Sequence, residues 1–197
     1  MDNSKDSTAF YTEVLQIKTL KWLQDNRCGE GGILLQALPF VDVARNKLTN
    51  HKADVALISD NKLHSYHVIP DKKDEVTDQF LETLELASKA FDTVSITVTP
   101  INLEEAIALR PSFCGVLLVD GGGTVSELRP PKTNTNETKA IVNLLTKSDL
   151  IKAYNDKGLK GITGPAKPIH LEFADDYLTT HEAKEITILS LLSRHTD

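Results

Sequence analysis

Two stretches constrain the fold more than anything else in the chain. Thr93 to Thr99 and Cys114 to Val119 are short, nearly continuous runs of apolar and β-branched residues. An unbroken apolar run and a β-branched run are typical of buried strands, so both read as strands covered on both faces. The segment between them, around Leu103 to Leu109, has helical spacing and is long enough for a crossover. That connection calls for parallel pairing, and hence for an α/β sheet with helices over it.

The residues before this pair extend the pattern. Phe10, Val14, Ile17 and Leu20 recur at helical spacing from Ala9 to about Gln24, with Ser7 or Thr8 as candidate caps. Gly29 to Gly32 ends that region. Ile33 to Leu38 and Ala53 to Ser59 read as strands, and Asp60-Asn61 as a tight hairpin turn into a third strand, Lys62 to Ile69. Pro70 ends that strand. Val76, Phe80, Leu84, Ala87 and Phe91 then fall on one helical face, with Glu82, Glu85 and Lys89 opposite. Gly121 to Gly123 is a turn.

After Pro130-Pro131 the composition shifts. Lys132 to Glu137 reads as a polar linker, followed by helical pieces near Glu137–Thr146, Ser148–Asn155 and Thr180–Arg194. The last is apolar on more than one side (Ile186, Ile188, Leu189, Leu191, Leu192), which asks for burial against the sheet or a partner. The expected organisation is an α/β core over 1–130, a mixed central sheet flanked by helices. A C-terminal helical region, 131–197, packs on or beside it.

Charge and composition exclude several function classes. The 197 residues carry 22 Lys+Arg against 28 Asp+Glu, a net charge of −6, so wholesale phosphate binding is not the expected role. Lys147, Lys152, Lys157, Lys160 and Lys167 form the most basic stretch, which reads more simply as a solvated face. Apolar runs such as Val116–Val119 are too short to cross a bilayer, and Met1 to Thr8 is polar, so a cytoplasmic protein away from membranes is expected. Cys28 and Cys114 make no disulfide framework, and Cys114 reads as core. His64 and His67, three apart on a strand, point to opposite faces and do not suit a shared metal. Gly158, Gly161 and Gly164 lack the spacing of a phosphate loop and read as a turn between helices.

One constellation carries chemistry. Ala53-Asp-Val-Ala-Leu-Ile-Ser, a hairpin turn, Lys62-Leu-His-Ser-Tyr-His-Val-Ile, then Pro70-Asp-Lys-Lys-Asp and an amphipathic helix resemble the PD-(D/E)xK nuclease core. The order is most similar to an uncharacterised bacterial family whose second strand reads roughly H-G-Y-E-I-K and runs into S-D-R-D. The likeness extends to Ala90 through Val98, Cys114 to Val119, Leu128-Arg129-Pro130, Leu144-Leu145, Asp149-Leu150 and Lys157 to Gly161. It implies a restriction-endonuclease-like fold and one functional point on the sheet. There an Asp and a Glu-x-Lys pair hold Mg²⁺ and steady the charge developing on phosphate.

Asp54 stands at the family's aspartate and is the candidate metal ligand. His67 stands where the glutamate belongs and Ile69 where the lysine belongs. Imidazole is a poor ligand for a hard cation, and isoleucine neither donates a proton nor stabilises an anion. Losing one such group costs about a hundredfold to a thousandfold in rate, so the site as written reads as inert. The expectation is a catalytically degenerate protein, without a cofactor, that acts by binding a protein partner. It would be an accessory, regulatory or immunity-type protein, steered by its charge toward a basic partner. Two alternatives stand beside it. Lys52, which shares a face with Asp54, the Asp71-x-Lys73 pair and Glu13 are the relocated residues of an active Mg²⁺-dependent nuclease in the first. In the second, Lys157 and Lys160, with Lys72 and Lys73, bind nucleic acid without cutting it.

Overall fold

A computed structural model describes residues 4–29, 32–41, 50–69, 76–159 and 171–194, with side chains from Thr12 onward apart from Val41 and Asn50. Helix α1 (Ser4–Asn26) leads into strands β1 (Ile33–Val41), β2 (Asn50–Ser59) and β3 (Lys62–Val68). Then follow α2 (Asp78–Ala90), β4 (Thr93–Val98), α3 (Leu103–Leu109), β5 (Gly115–Val119) and β6 (Val125–Arg129). Helices α4 (Thr138–Val142), α5 (Lys147–Asp156), α6 (Ala174–Tyr177) and α7 (Thr180–Ser193) complete the described elements.

The six strands form one mixed open sheet in sequence order. β3, β4 and β5 are parallel neighbours, joined by crossovers through α2 and α3, while the β1–β2, β2–β3 and β5–β6 pairs are antiparallel. The β2–β3 turn places Asp60 and Asn61 at φ 51° and 57°. Two left-handed residues in succession match the twist of a two-residue hairpin, and Asp and Asn tolerate that region better than most side chains. Pro70 lies outside the described residues.

Helices cover both faces. On one side α2, α4 and α7 pack with the sheet around Leu63, Phe91, Ile96, Ile141, Leu150 and Ile188. On the other, α1 lays Leu23 against Val55, Leu57, Tyr66 and Leu117, and Leu15 against Val68 and Val119. The C-terminal helices therefore share the main core rather than forming one of their own. The Lys132–Glu137 segment is bonded along that core: Asn134 N donates to Asp92 O at 2.8 Å and Glu137 N to Lys89 O at 2.8 Å. Threonine caps begin three helices: Thr77 on α2, and Thr146–Asp149 and Thr179–Glu182 capping boxes on α5 and α7. Gly158 (φ 78°) ends α5, and Leu159 N returns to Tyr154 O at 2.9 Å.

Three sequence expectations need correction. Helix α1 is already under way at Ser4, so Ser7 and Thr8 lie inside it. Its buried seam is Leu15, Thr19 and Leu23, whereas Ile17 is 54 % exposed. Thr19 is tolerated there because its hydroxyl donates to Leu15 O (2.7 Å) and lies 3.2 Å from Thr97 Oγ1, which satisfies a polar group that burial would otherwise penalise. The last correction is β6, which residue patterning alone did not mark. Asp120 Oδ1 accepts from Gly122 N and Thr124 N, both at 2.9 Å, and Gly123 takes φ 79°, which turns the chain back along β5. With Ser126, Glu127 and Leu128 exposed, β6 is a polar edge strand with little hydrophobic signature.

Candidate functional site

The sheet is irregular at one place, and Asp54 sits there. On β1, Leu35, Leu38 and Phe40 all enter the α2-side core, although Leu35 and Leu38 are an odd number of residues apart. Ala37, between them, has φ 51°, an uncommon conformation for a side chain other than Gly, Asn or Asp. On β2 the same slip occurs: Ala53 and Ala56 enter the α2-side core, while Val55 packs with α1. Because both strands slip together, Gln36↔Val55 and Leu38↔Ala53 stay in one register. The paired irregularity leaves Asp54 and Val55 both directed to the α1 side.

The β2–β3 pairing runs from Ser59↔Lys62 to Val55↔Tyr66. Past that point Asp54 continues it with its side chain: Oδ2 accepts from Val68 N at 2.8 Å. Oδ1 accepts from Gln16 Nε2 of α1 at 3.0 Å, and Lys52 Nζ is 3.6 Å from the same oxygen. The carboxylate is 13 % exposed, the lysine 58 %. Beside them an open groove of about 620 Å³ is lined by Glu13, Gln16, Ile17, Gln36 and Lys52 among others. The exposed face of α1, left over by the Leu15–Leu23 seam, forms one wall of that groove.

His67 and Ile69 occupy the opposite side of β3. The His67 ring meets Phe40 and Phe80 edge-on, each at 6.5 Å, and its Nε2 is 3.2 Å from Ser65 Oγ. Burial pushes the imidazole down to about 4; the nearby Asp54 charge opposes this, His51 adds to it, and a hydrogen bond to the Lys52 backbone opposes it again. Its charged form is therefore disfavoured at neutral pH. Ile69 is 1 % exposed in the main core. His51 stacks on Phe40 at 5.8 Å with Nδ1 2.8 Å from Thr83 Oγ1. The Thr83 hydroxyl proton goes to Gln79 O, so Nδ1 donates, and the buried Nε2 has no hydrogen-bond partner.

The residues that the nuclease resemblance brings to one point are therefore divided. Asp54, Lys52 and Glu13 are on the α1 side, and His67 and Ile69 are on the α2 side. Lys52 shares the Asp54 face, as spacing predicts. Asp71, Lys72, Lys73 and Lys160 lie outside the described residues. Lys157 pairs with Glu182 at 2.6 Å. Cys114 is buried, its thiol pushed up to about 12 by desolvation, which makes it inert core. His64 bonds Thr93 Oγ1 at 2.8 Å, on the opposite face from His67.

Sequence reasoning missed Gln16 and Gln36. A signal for Gln16 existed, since it lies three residues after Glu13 and so shares its helix face. Nothing local marks Gln36 on β1. Around Asp54 the neighbours are an amide N–H₂, a backbone N–H and an ammonium group, all of them positive ends. Among the described residues no three His, Cys, Asp or Glu side chains gather as a metal site. Compared with known proteins, the chain matches no family model, no curated protein and no solved structure.

Proposed function

We propose that this protein works by binding a protein partner, on a nuclease-like scaffold whose Asp54 has become a structural residue. One observation carries the reading: both Asp54 oxygens are engaged by protein donors, Val68 N at 2.8 Å and Gln16 Nε2 at 3.0 Å, with Lys52 beside them. A divalent cation needs oxygen ligands in that space, and the surrounding donor set repels it. Such an ion does not fit there. The buried His67, disfavoured as a cation, and the apolar Ile69 supply neither a hard ligand nor a proton on that side.

The net charge of −6 favours a basic partner, consistent with an accessory, regulatory or immunity-type role. The partner surface in this reading is the α1 groove, where the exposed Ile17 sits among Glu13, Gln16 and Lys52. Incubation with DNA and RNA in Mg²⁺ or Mn²⁺ is the test of the inert site, with no cleavage expected. Metal-dependent cleavage that Asp54→Ala abolishes would overturn it. For the partner, capture from native lysate by the wild type and by Ile17→Asp is compared. A basic protein retained by the wild type and lost by the variant is expected; equal retention by both removes the groove from the reading.

The active-nuclease alternative has one observation in its favour, the 3.6 Å approach of Lys52 Nζ to Asp54. The same cleavage assay with Lys52→Ala separates it: that reading needs activity that falls with the lysine.

A further inference from the structure

Helix α7 is apolar on more than one side, and the fold buries only part of it. Ala183, Ile188 and Leu191 enter the core, but Leu189 remains 60 % exposed. The exposed Leu189 and the half-buried Ile186 line a groove of about 330 Å³ between α5 and α7. Two of its lining residues, Asp149 and Lys157, are held in ion pairs. Arg194 binds Asp149, and Lys157 binds Glu182 at 2.6 Å. Two further groove charges, Lys152 and Asp156, are exposed on α5 one turn apart.

The order of those two charges matters. A cation four residues before an anion is the poor orientation for pairing within a helix. Asp156 also closes α5 at the negative end of its dipole, which repels a carboxylate and attracts a cation from outside. Lys152 and Asp156 are thus an acid and a base at fixed spacing beside an exposed leucine. A partner of one charge sign would satisfy one and oppose the other. A second copy of the same face, turned about a twofold axis, satisfies both: Lys152 of each protomer meets Asp156 of the other, and the two Leu189 side chains cover one another.

We infer that the α5–α7 face is a self-complementary dimer surface, and that this chain associates with a second copy through reciprocal Lys152–Asp156 contacts around Leu189. The face is locally balanced in charge, so the net −6 of each chain does not forbid it. The surface is distinct from the groove beside α1, so either can fail without the other.

Sedimentation velocity of the full chain at increasing concentration tests this, with circular dichroism confirming that each variant is folded. The wild type is expected to dimerise. Lys152→Asp and Asp156→Lys, each alone, weaken the dimer by about tenfold or more through like-charge contacts across the axis. Mixing the two variants restores a dimer, because every cross-axis pair is again opposite in sign, and the double variant Lys152→Asp/Asp156→Lys restores it within one species. Leu189→Asp abolishes association in all backgrounds. A wild type that stays monomeric at high concentration overturns the inference. So does a dimer unaffected by the single reversals, or single variants that do not rescue one another.

Discussion

Strand β3 is held at its two ends by aspartates doing nearly the same work in different surroundings. At its start, Asp92 Oδ2 accepts from Leu63 N at 2.8 Å and Oδ1 meets Lys184 Nζ at 2.5 Å. At its end, Asp54 Oδ2 accepts from Val68 N at 2.8 Å and Oδ1 lies 3.6 Å from Lys52 Nζ. The difference is burial. Asp92 and Lys184 are mostly enclosed, whereas Lys52 stands in an open groove. An aspartate remote from the α1 groove thus makes the same contact with a β3 backbone N–H and also has a lysine beside it, held more closely. Of the two lysines, Lys52 is the more loosely held and the more exposed.

The largest effect is expected at the enclosed end. Asp92→Ala strands a mostly enclosed ammonium and a backbone N–H, and should cost about 3 kcal/mol in urea unfolding; a loss below about 1 kcal/mol would mean the enclosure does not strengthen the contact. Next comes acid. His67 has a folded pKa pushed down to about 4 from an ordinary 6.5, so between those values the unfolded chain binds more protons. Stability is therefore full above about pH 6.5 and falls as pH drops toward 4. Chemical denaturation across that range should show the decline, and His67→Gln should flatten it; an unchanged slope would break the picture of a dry α2 side. The smallest effects belong to the open end. Asp54→Ala should cost about 1–2 kcal/mol for the unpaired Val68 N–H, and Lys52→Ala about 0.5 kcal/mol or less, as an exposed pair does. Near-equal losses at Asp54 and Asp92 would erase the contrast.

The sheet was legible in sequence wherever strands are buried on both faces, because β5 leaves an unbroken apolar run and β4 a nearly continuous β-branched one. The Asp60–Asn61 hairpin was legible through its turn chemistry. The edge strand β6 was not, since an exposed strand buries too little to leave a pattern. The buried face of α1 was misread for a related reason: Thr19 hides in the core by satisfying its own hydroxyl, and Ile17 faces the groove. At the candidate site, spacing placed Lys52 beside Asp54. It could not place Asp54 relative to His67, because the paired slip at Ala37 and Asp54 reverses the strand alternation on which that reasoning depends.

The most direct test of a structural Asp54 is the amide spectrum of the full chain during Mn²⁺ titration. A metal held by this carboxylate would broaden the Val68 backbone and Gln16 side-chain N–H signals before others. With a structural Asp54, both signals keep their widths at millimolar metal, and Asp54→Ala shifts them through loss of the hydrogen bonds alone. Selective broadening of those two signals, removed by Asp54→Ala, would contradict it.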